Sequence, residues 1–483
     1  MVFSDLFFLF VFLPALIICY RIAAIFDRNA SADDDDRSPK LVWRNSVLIV
    51  FSLIFYAWGE PVYVFLMVGC VIMNYFLGLW VDACRRRFFR RLALTVGILL
   101  NVSTLGVFKY AGFVCAELSR FGIDLPVPAI SLPIGISFYI FQSISYLTDV
   151  YRSHAAAQRR FSGLLLYISM FPQLVAGPIV RYSTVAREIY DRTVTPRDVA
   201  DGIFRFLIGL GKKVIIANQM SEIADNFLTD NLASLSTLGA WVGLLAFTLQ
   251  IYFDFSGYSD MAIGMGRCMG FHFPENFDHP YTCRSITDFW RRWHMSLGSF
   301  FRDYVYIPLG GNRSHQILNI IVVWALTGFW HGASWNFVMW GMYFGIILIV
   351  EKAIMRYTGH QPGHIIAMLL VIAGWGIFYY DDLGNMGQFF RAFFGYHTHL
   401  YDFAAESALF DKFWLWILAI VLCLPVRRWI SEAHIRLWGG NPDHTGVAVV
   451  ETTCRLLLAI VILVTSVCLL VGATNNAFLY TRF

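Results

Sequence analysis

The chain has 483 residues, 58% hydrophobic and 14% charged, where a soluble domain has roughly 45–50% and about 25%; this is the composition of a membrane protein. The formal charge of +4, from 37 Lys and Arg against 33 Asp and Glu, is too even for nucleic-acid binding by phosphate neutralisation. The nine cysteines are scattered with no C-x-x-C pair, so neither a disulfide framework nor a metal site is indicated.

At about 20 apolar residues per crossing, the expected fold is all-α, a polytopic membrane helical bundle with roughly 11 transmembrane helices plus re-entrant or amphipathic helices. The run at 3–25 lacks the basic start of a signal peptide and is expected to be retained as the first span. The linker from Asp27 to Lys40 places Asp33 to Asp36 beside Arg28, Arg37 and Lys40 and reads as a solvated connector. Runs follow at 41–58, 61–82 and 92–116, with Arg85, Arg86, Arg87, Arg90 and Arg91 between the last two. The positive-inside rule puts that basic cluster in the cytoplasm and the start of the chain outside.

Further runs lie at 130–148, 162–180, 202–220, 237–253 and 256–271, interrupted at Pro172 and Gly177-Pro178. Irregular backbone at membrane depth is tolerated only where protein covers it or it lines a water-filled cavity. Asp254 and Asp260, in "FDFSGYSDMAIG", have two readings. They are proton sites of a transporter, or structural carboxylates satisfied by Ser256, Tyr258 and Ser259.

Residues 276–313 are too charged to span yet rich in aromatic rings. Taken as one helix from Ser285, at about 100° per residue, Ile286, Phe289, Trp290, Trp293, Leu297, Phe300 and Phe301 gather on one side. Asp288, Arg291, Arg292 and Arg302 take the other, an interfacial or re-entrant amphipathic pattern with His294 at the margin. Between Arg313 and Glu351 there is no Asp, Glu, Lys or Arg, and His331 sits in the middle. An ionisable group at that depth is costly and marks a candidate site. A desolvated imidazole stays neutral near pH 7 and can accept a proton; a histidine bonding between helices is the other reading of its position.

No G-x-S-x-G elbow or H-E-x-x-H occurs, and Gly209-Leu210-Gly211-Lys212-Lys213 lacks the earlier glycine and the Ser/Thr of a P-loop. The last runs are at 317–331, 334–350, 364–380, 413–426 and 454–474, and the loop from Asp381 to Lys412 is the longest candidate docking surface.

Five stretches carry a resemblance: "SLPIGISFYIFQSISYLTDVYR" (131–152), "FPQLVAGPIVRY" (171–182), "FDFSGYSDMAIGMG" (253–266), "DFWRRWHMSLGSFFRDYVYIPLGGNR" (288–313) and "TGFWHGASWN" (327–336). They resemble the membrane-bound O-acyltransferase superfamily, in its bacterial alginate O-acetyltransferase branch, related to the D-alanyl transferases of teichoic acid. The likeness runs from the start of the chain to about residue 380. It implies a single membrane domain over 1–483, with N-terminal helices at 1–126, an acyltransferase core at 127–351 and C-terminal helices at 352–483.

The resemblance also implies a central tunnel, an essential His331 in the W-H-G motif and a second histidine, His294, in the W-R-R-W-H motif. Trp290, Arg291, Arg292, Arg302 and Asn336 are candidate tunnel or donor contacts, and headgroup anchoring is the other reading of the arginines. No bound cofactor is implied; acetyl-CoA is the implied acyl donor. The terminal "AFLYTRF" resembles the F-x-Y-x-x-F end of this branch in Phe478, Tyr480 and Phe483, departing from its apolar filling at Thr481-Arg482. There Tyr480 is implied to carry the acyl group, and an aromatic interface anchor is the alternative.

The implied function is transfer of acetyl groups from a cytoplasmic donor across the inner membrane for O-acetylation of an exopolysaccharide, alginate foremost. Cellulose, peptidoglycan and teichoic acid are alternative polymers, and a polysaccharide or proton-coupled transporter is the alternative of another class. The implied partners are a periplasmic or anchored esterase-like protein and membrane lipid.

Overall fold

The computed structural model describes residues 1–32, 41–126, 128, 130–229, 232–396, 398–426, 428–430, 432, 445–473 and 478–479. The acidic tetrad Asp33 to Asp36 and Tyr480 lie outside the described residues. Among them the regular structure is helical throughout, as a bilayer requires of a chain that cannot leave backbone groups unpaired. Among the described residues seven helices are long and apolar enough to cross a membrane, and Gln316–His331, His364–Tyr379 and Phe413–Cys423 are shorter apolar helices. The chain is a multi-pass membrane protein. It divides into two compact units, each discontinuous in sequence.

The first unit comprises Met1–Phe206 and Ser259–Pro274. It holds α1 (Leu13–Ala32), α2 (Val42–Gly59), α3 (Tyr63–Ala83), α4 (Arg87–Leu105), α5 (Ala111–Arg120), α6 (Ile136–Tyr151), α7 (Phe161–Ser169), α8 (Phe171–Leu174) and α9 (Tyr182–Val185). α3 and α4 are tied by a reciprocal amide pair in which Asn74 Nδ2 donates to Asn101 Oδ1 at 3.0 Å and Asn101 Nδ2 to Asn74 Oδ1 at 2.7 Å. Each amide also donates to its own helix, at Cys70 O and Gly97 O, so two polar side chains are satisfied at bilayer depth. α6 is buried almost throughout, its polar side chains Gln142, Ser143, Ser145, Thr148 and Asp149 included.

The run at 162–180 forms no span. It breaks into α7, α8 and irregular chain, because Pro172 lacks an amide donor and the Gly177-Pro178 step disfavours helix.

The second unit comprises Leu207–Tyr258 and Glu275–Phe483. α10 (Pro196–Gly211) passes through a π-helical stretch, Lys212–Ala217, into α11 (Asn218–Leu228). The two runs expected at 237–253 and 256–271 are one continuous helix, α12 (Thr237–Cys268), buried along most of its length. Its polar centre is an interior feature and not a loop. The remaining helices are α13 (Ile286–Arg292), α14 (Met295–Phe301), α15 (Gln316–His331), α16 (Trp335–Thr358), α17 (His364–Tyr379), α18 (Leu383–Phe393), α19 (Phe403–Asp411), α20 (Phe413–Cys423) and α21 (Thr445–Leu470). Much of the Asp381–Lys412 loop is thus helical, its turns started by Asp382 and Asp402, which accept from Asn385 N and Ala404 N.

α15 and α16 form a tight hairpin because glycine faces backbone across it. A Cβ on Gly328 would lie 2.3 Å from Phe337 O, and one on Gly341 2.3 Å from Trp324 O. This is the small-residue packing by which membrane helices approach closely.

The Asn74–Asn101 pair yields a prediction. In a double-mutant cycle of Asn74→Ala and Asn101→Ala, followed by thermal unfolding in detergent, the coupling should be favourable and about 0.6–1.7 kcal/mol, as for other intramembrane polar pairs. Purely additive losses would contradict it.

Candidate active site

The single amphipathic helix expected from Ser285 is two helices, α13 and α14, with a break at Trp293–His294. His294 has φ 44° and ψ 53°, a left-handed conformation that a residue bearing a Cβ seldom adopts. Asn276 holds the break together. Its carbonyl accepts from Met295 N at 2.9 Å, and its Oδ1 faces Ser296 N at 3.2 Å, Ser296 Oγ at 2.8 Å and His294 Nδ1 at 3.0 Å. Since that oxygen only accepts, Nδ1 of His294 carries the proton and Nε2 is the acceptor nitrogen of the neutral ring. Of the side expected to be apolar, Ile286, Phe289, Trp293, Leu297, Phe300 and Phe301 are buried across the break and Trp290 is half-buried.

The start of α13 is fixed twice. Ser285 accepts from Asp288 N at 3.0 Å, and the buried carboxylate of Glu351, from α16, accepts from Ile286 N at 2.6 Å and Thr287 N at 3.0 Å. A carboxylate at a helix N-terminus satisfies donors that the helix leaves open and complements its dipole.

His331 is the last residue of α15 and 8% exposed; His294 is 2% exposed. The His331 ring meets Trp340 at 5.0 Å and Phe378 at 5.2 Å, both edge to face. Trp330 links the two histidines, its ring 4.9 Å from His331 and 5.8 Å from His294. A narrow cavity of about 370 Å³, open part included, is lined by Ile251, Asp254, Phe255, Trp293, His331, Trp340, Trp375, Phe378 and Leu479. His331 faces it directly. His294 lies behind Phe255, whose ring is 4.6 Å away.

The other candidates divide. Trp290 packs among Trp324, Trp340 and Phe344, at 4.8, 5.5 and 4.9 Å, beside the cavity and not in its wall. Asn336 is fully buried and donates to Phe378 O at 3.1 Å, fixing the helix end that carries a cavity ring. Arg292 pairs with Asp288 at 2.8 Å and Arg302 with Asp303 at 2.6 Å, while Arg291 is exposed. Both carboxylates of the α12 centre pair with cations, Asp254 with Lys213 at 2.6 Å and Asp260 with Arg205 at 2.9 Å. Arg205 and Lys213 were legible as charges inside the otherwise apolar 202–220 run, which also holds Lys212. Trp340, Trp375, Phe378 and Asn276 carried no signal that set them apart from packing residues.

A multi-pass helical membrane protein with a buried histidine at an apolar cavity is the class that this fold and site define. Residues 63–386 match the sequence model of the membrane-bound O-acyltransferase family, and the chain belongs to that family. It is an O-acyltransferase, which acts with an acyl donor in a membrane setting. It is 40% identical over 410 residues to the protein named "Probable alginate O-acetylase AlgI" of Azotobacter vinelandii, covering 82% of this chain and 78% of the relative. It is 38% identical over 392 residues to the peptidoglycan O-acetyltransferase of Helicobacter pylori, covering 74% and 72%. A teichoic acid D-alanyltransferase of Bacillus subtilis is 28% identical over 232 residues, 44% of this chain and 58% of the relative.

Burial lowers the His294 pKa from its ordinary 6.5 to about 3. The unfolded chain therefore takes up this proton first, and stability falls from pH 6.5 down to about 3, by up to ~1.4 kcal/mol per pH unit. Unfolding midpoints at pH 7.5, 6 and 5 should fall more steeply in wild type than in His294→Gln. Parallel slopes would refute this account of the ring.

Proposed function

We propose that this enzyme takes acetyl groups from a cytoplasmic thioester, acetyl-CoA, and passes them across the inner membrane for O-acetylation of an extracellular polysaccharide, with alginate as the first candidate. The observation that carries the reading is His331 at the wall of a cavity made, apart from the ion-paired Asp254, of rings and aliphatic groups. Similarity to a probable alginate O-acetylase supports the acetyl group and the polymer; the peptidoglycan O-acetyltransferase supports the same chemistry on another polymer.

His331 acts as general base. It takes the proton of the acceptor hydroxyl as that oxygen attacks the thioester carbonyl; the carbon–sulfur bond breaks, and the proton passes to the leaving thiolate. The negative end of the α15 dipole stabilises the transient imidazolium. His294, with Nδ1–H committed to Asn276 and its ring set behind Phe255, positions that cavity ring rather than donating to an oxyanion.

Tyr480 is the first acceptor in this reading. A phenol with a pKa near 10 forms a more activated ester than an alcohol does, so the acetyl group retains the potential to move onward to sugar. The final transfer falls to a periplasmic or anchored esterase-like partner. Engagement of Asp254 and Asp260 in ion pairs speaks against their serving as the exchangeable proton sites of a transporter.

A His331→Ala strain, with protein at wild-type level in the membrane, should lose polymer acetylation by about 10²–10⁴-fold, the usual weight of a general base. Persistence of acetylation would sink the assignment. Incubated with labelled acetyl-CoA, wild type should gain one acetyl mass on the peptide containing Tyr480 and Tyr480→Phe none; an unmodified tyrosine under turnover would eliminate the relay.

A further inference from the structure

Two charged residues in the second unit have no part in the chemistry above, and they meet each other. Lys213, in the π-helical stretch that follows α10, and Asp254, in the middle of α12, are 3% and 2% exposed and 2.6 Å apart. Gly257 permits the approach: a Cβ there would lie 2.8 Å from Gly209 O and 3.2 Å from Lys213 N. π-Helical turns are frequent at functional sites. Burying an ion pair this completely brings little stability over apolar residues of the same volume, so its value lies in what it positions.

Both members of the pair engage one distant segment. Asp254 Oδ2 accepts the backbone N–H of Leu479 at 2.8 Å, across 225 positions of sequence. The ring of Phe478 lies 5.6 Å from Lys213 Nζ and 4.6 Å from the ring of Tyr258. The first contact is a charge-assisted hydrogen bond to main chain, the second a cation over an aromatic face. Asp254 and Leu479 both line the cavity that His331 faces. Tyr480 is the next residue in the sequence.

We propose that Lys213 and Asp254 form a clamp that holds Phe478–Leu479 at the rim of the His331 cavity and so delivers Tyr480 to the acyl group. The two are positioning residues, and the role rests on the relay reading of Tyr480. In the step they serve, the Tyr480 oxygen bonds to the donor's carbonyl carbon, the carbon–sulfur bond breaks, and the phenolic proton reaches the thiolate through His331. The clamp leaves bonds and protons unchanged; it replaces a search by a flexible segment with a fixed approach.

The test is hydrogen exchange at the Leu479 amide in the full-length protein in detergent, read beside acetyl mass on Tyr480. In wild type that amide should exchange about tenfold or more slowly than in an unstructured peptide. In Asp254→Leu/Lys213→Met, which removes both charges without leaving either unpaired, the protection should vanish and Tyr480 acetylation should fall about tenfold or more. Asp254→Glu/Lys213→Arg, which keeps the charges, should restore part of both. A protected amide in the folded apolar double variant overturns the clamp. If that variant does not fold, wild type decides alone, since free exchange at Leu479 overturns the clamp as well. Protection lost in the double variant with Tyr480 never acetylated in wild type would overturn the relay and the delivery role together, and leave only the anchoring of the segment.

Discussion

Inside a bilayer every polar group has to find its partner within the protein, and most of the non-aromatic detail of this structure follows from that demand. Asn74 and Asn101 answer it by pairing with each other and with their own helices. Asn336 answers it at Phe378 O, and Glu351 by taking two amides at the start of α13. Lys213 and Asp254 answer it as an ion pair. In the second unit the bonds of Asn336, Glu351 and the Lys213–Asp254 pair join separate segments, so the same contacts that neutralise polarity also hold the elements that carry the cavity wall.

The site adds a local cost. His294 in a left-handed conformation carries strain on the order of 1–3 kcal/mol, and it persists because Asn276 gathers Ser296 and the imidazole on one oxygen. The break turns the chain between α13 and α14 and sets the ring beside Phe255 and Trp330. A continuous helix would have had its backbone hydrogen bonds satisfied without Asn276, and the ring would have had no partner that selects its tautomer. Here the strain and the tautomer have one cause.

Sequence reading reached the helical class, because apolar runs of span length are a strong signal; it singled out His331 as a lone imidazole among uncharged residues and His294 at the margin of an amphipathic pattern. It failed where one signal stands for two structures. The polar centre of α12, around Asp254 and Asp260, lowers local hydropathy as a loop would, yet the helix continues because Lys213 and Arg205 meet those carboxylates. The break at His294 was hidden because burial keeps its rhythm across it, with Phe289 and Trp293 on one side and Leu297 and Phe300 on the other. The cavity wall was hidden for a different reason. α16 and α17 are apolar nearly all round, so periodicity marks no face, and Trp340, Trp375 and Phe378 are distinguished only once α15 brings His331 against them.

The wall of the cavity constrains what can enter it. Apart from His331 and Asp254 it is made of rings and aliphatic side chains, where a sugar would need several hydroxyl partners. A polymer strand placed there would bury hydroxyls without hydrogen bonds, at a cost of about 1–3 kcal/mol for each. A flat aromatic acceptor suits the same walls, since ring stacking and edge contacts are what they provide. On such walls an aromatic group is the better fit and a hydroxyl-rich sugar the poorer one.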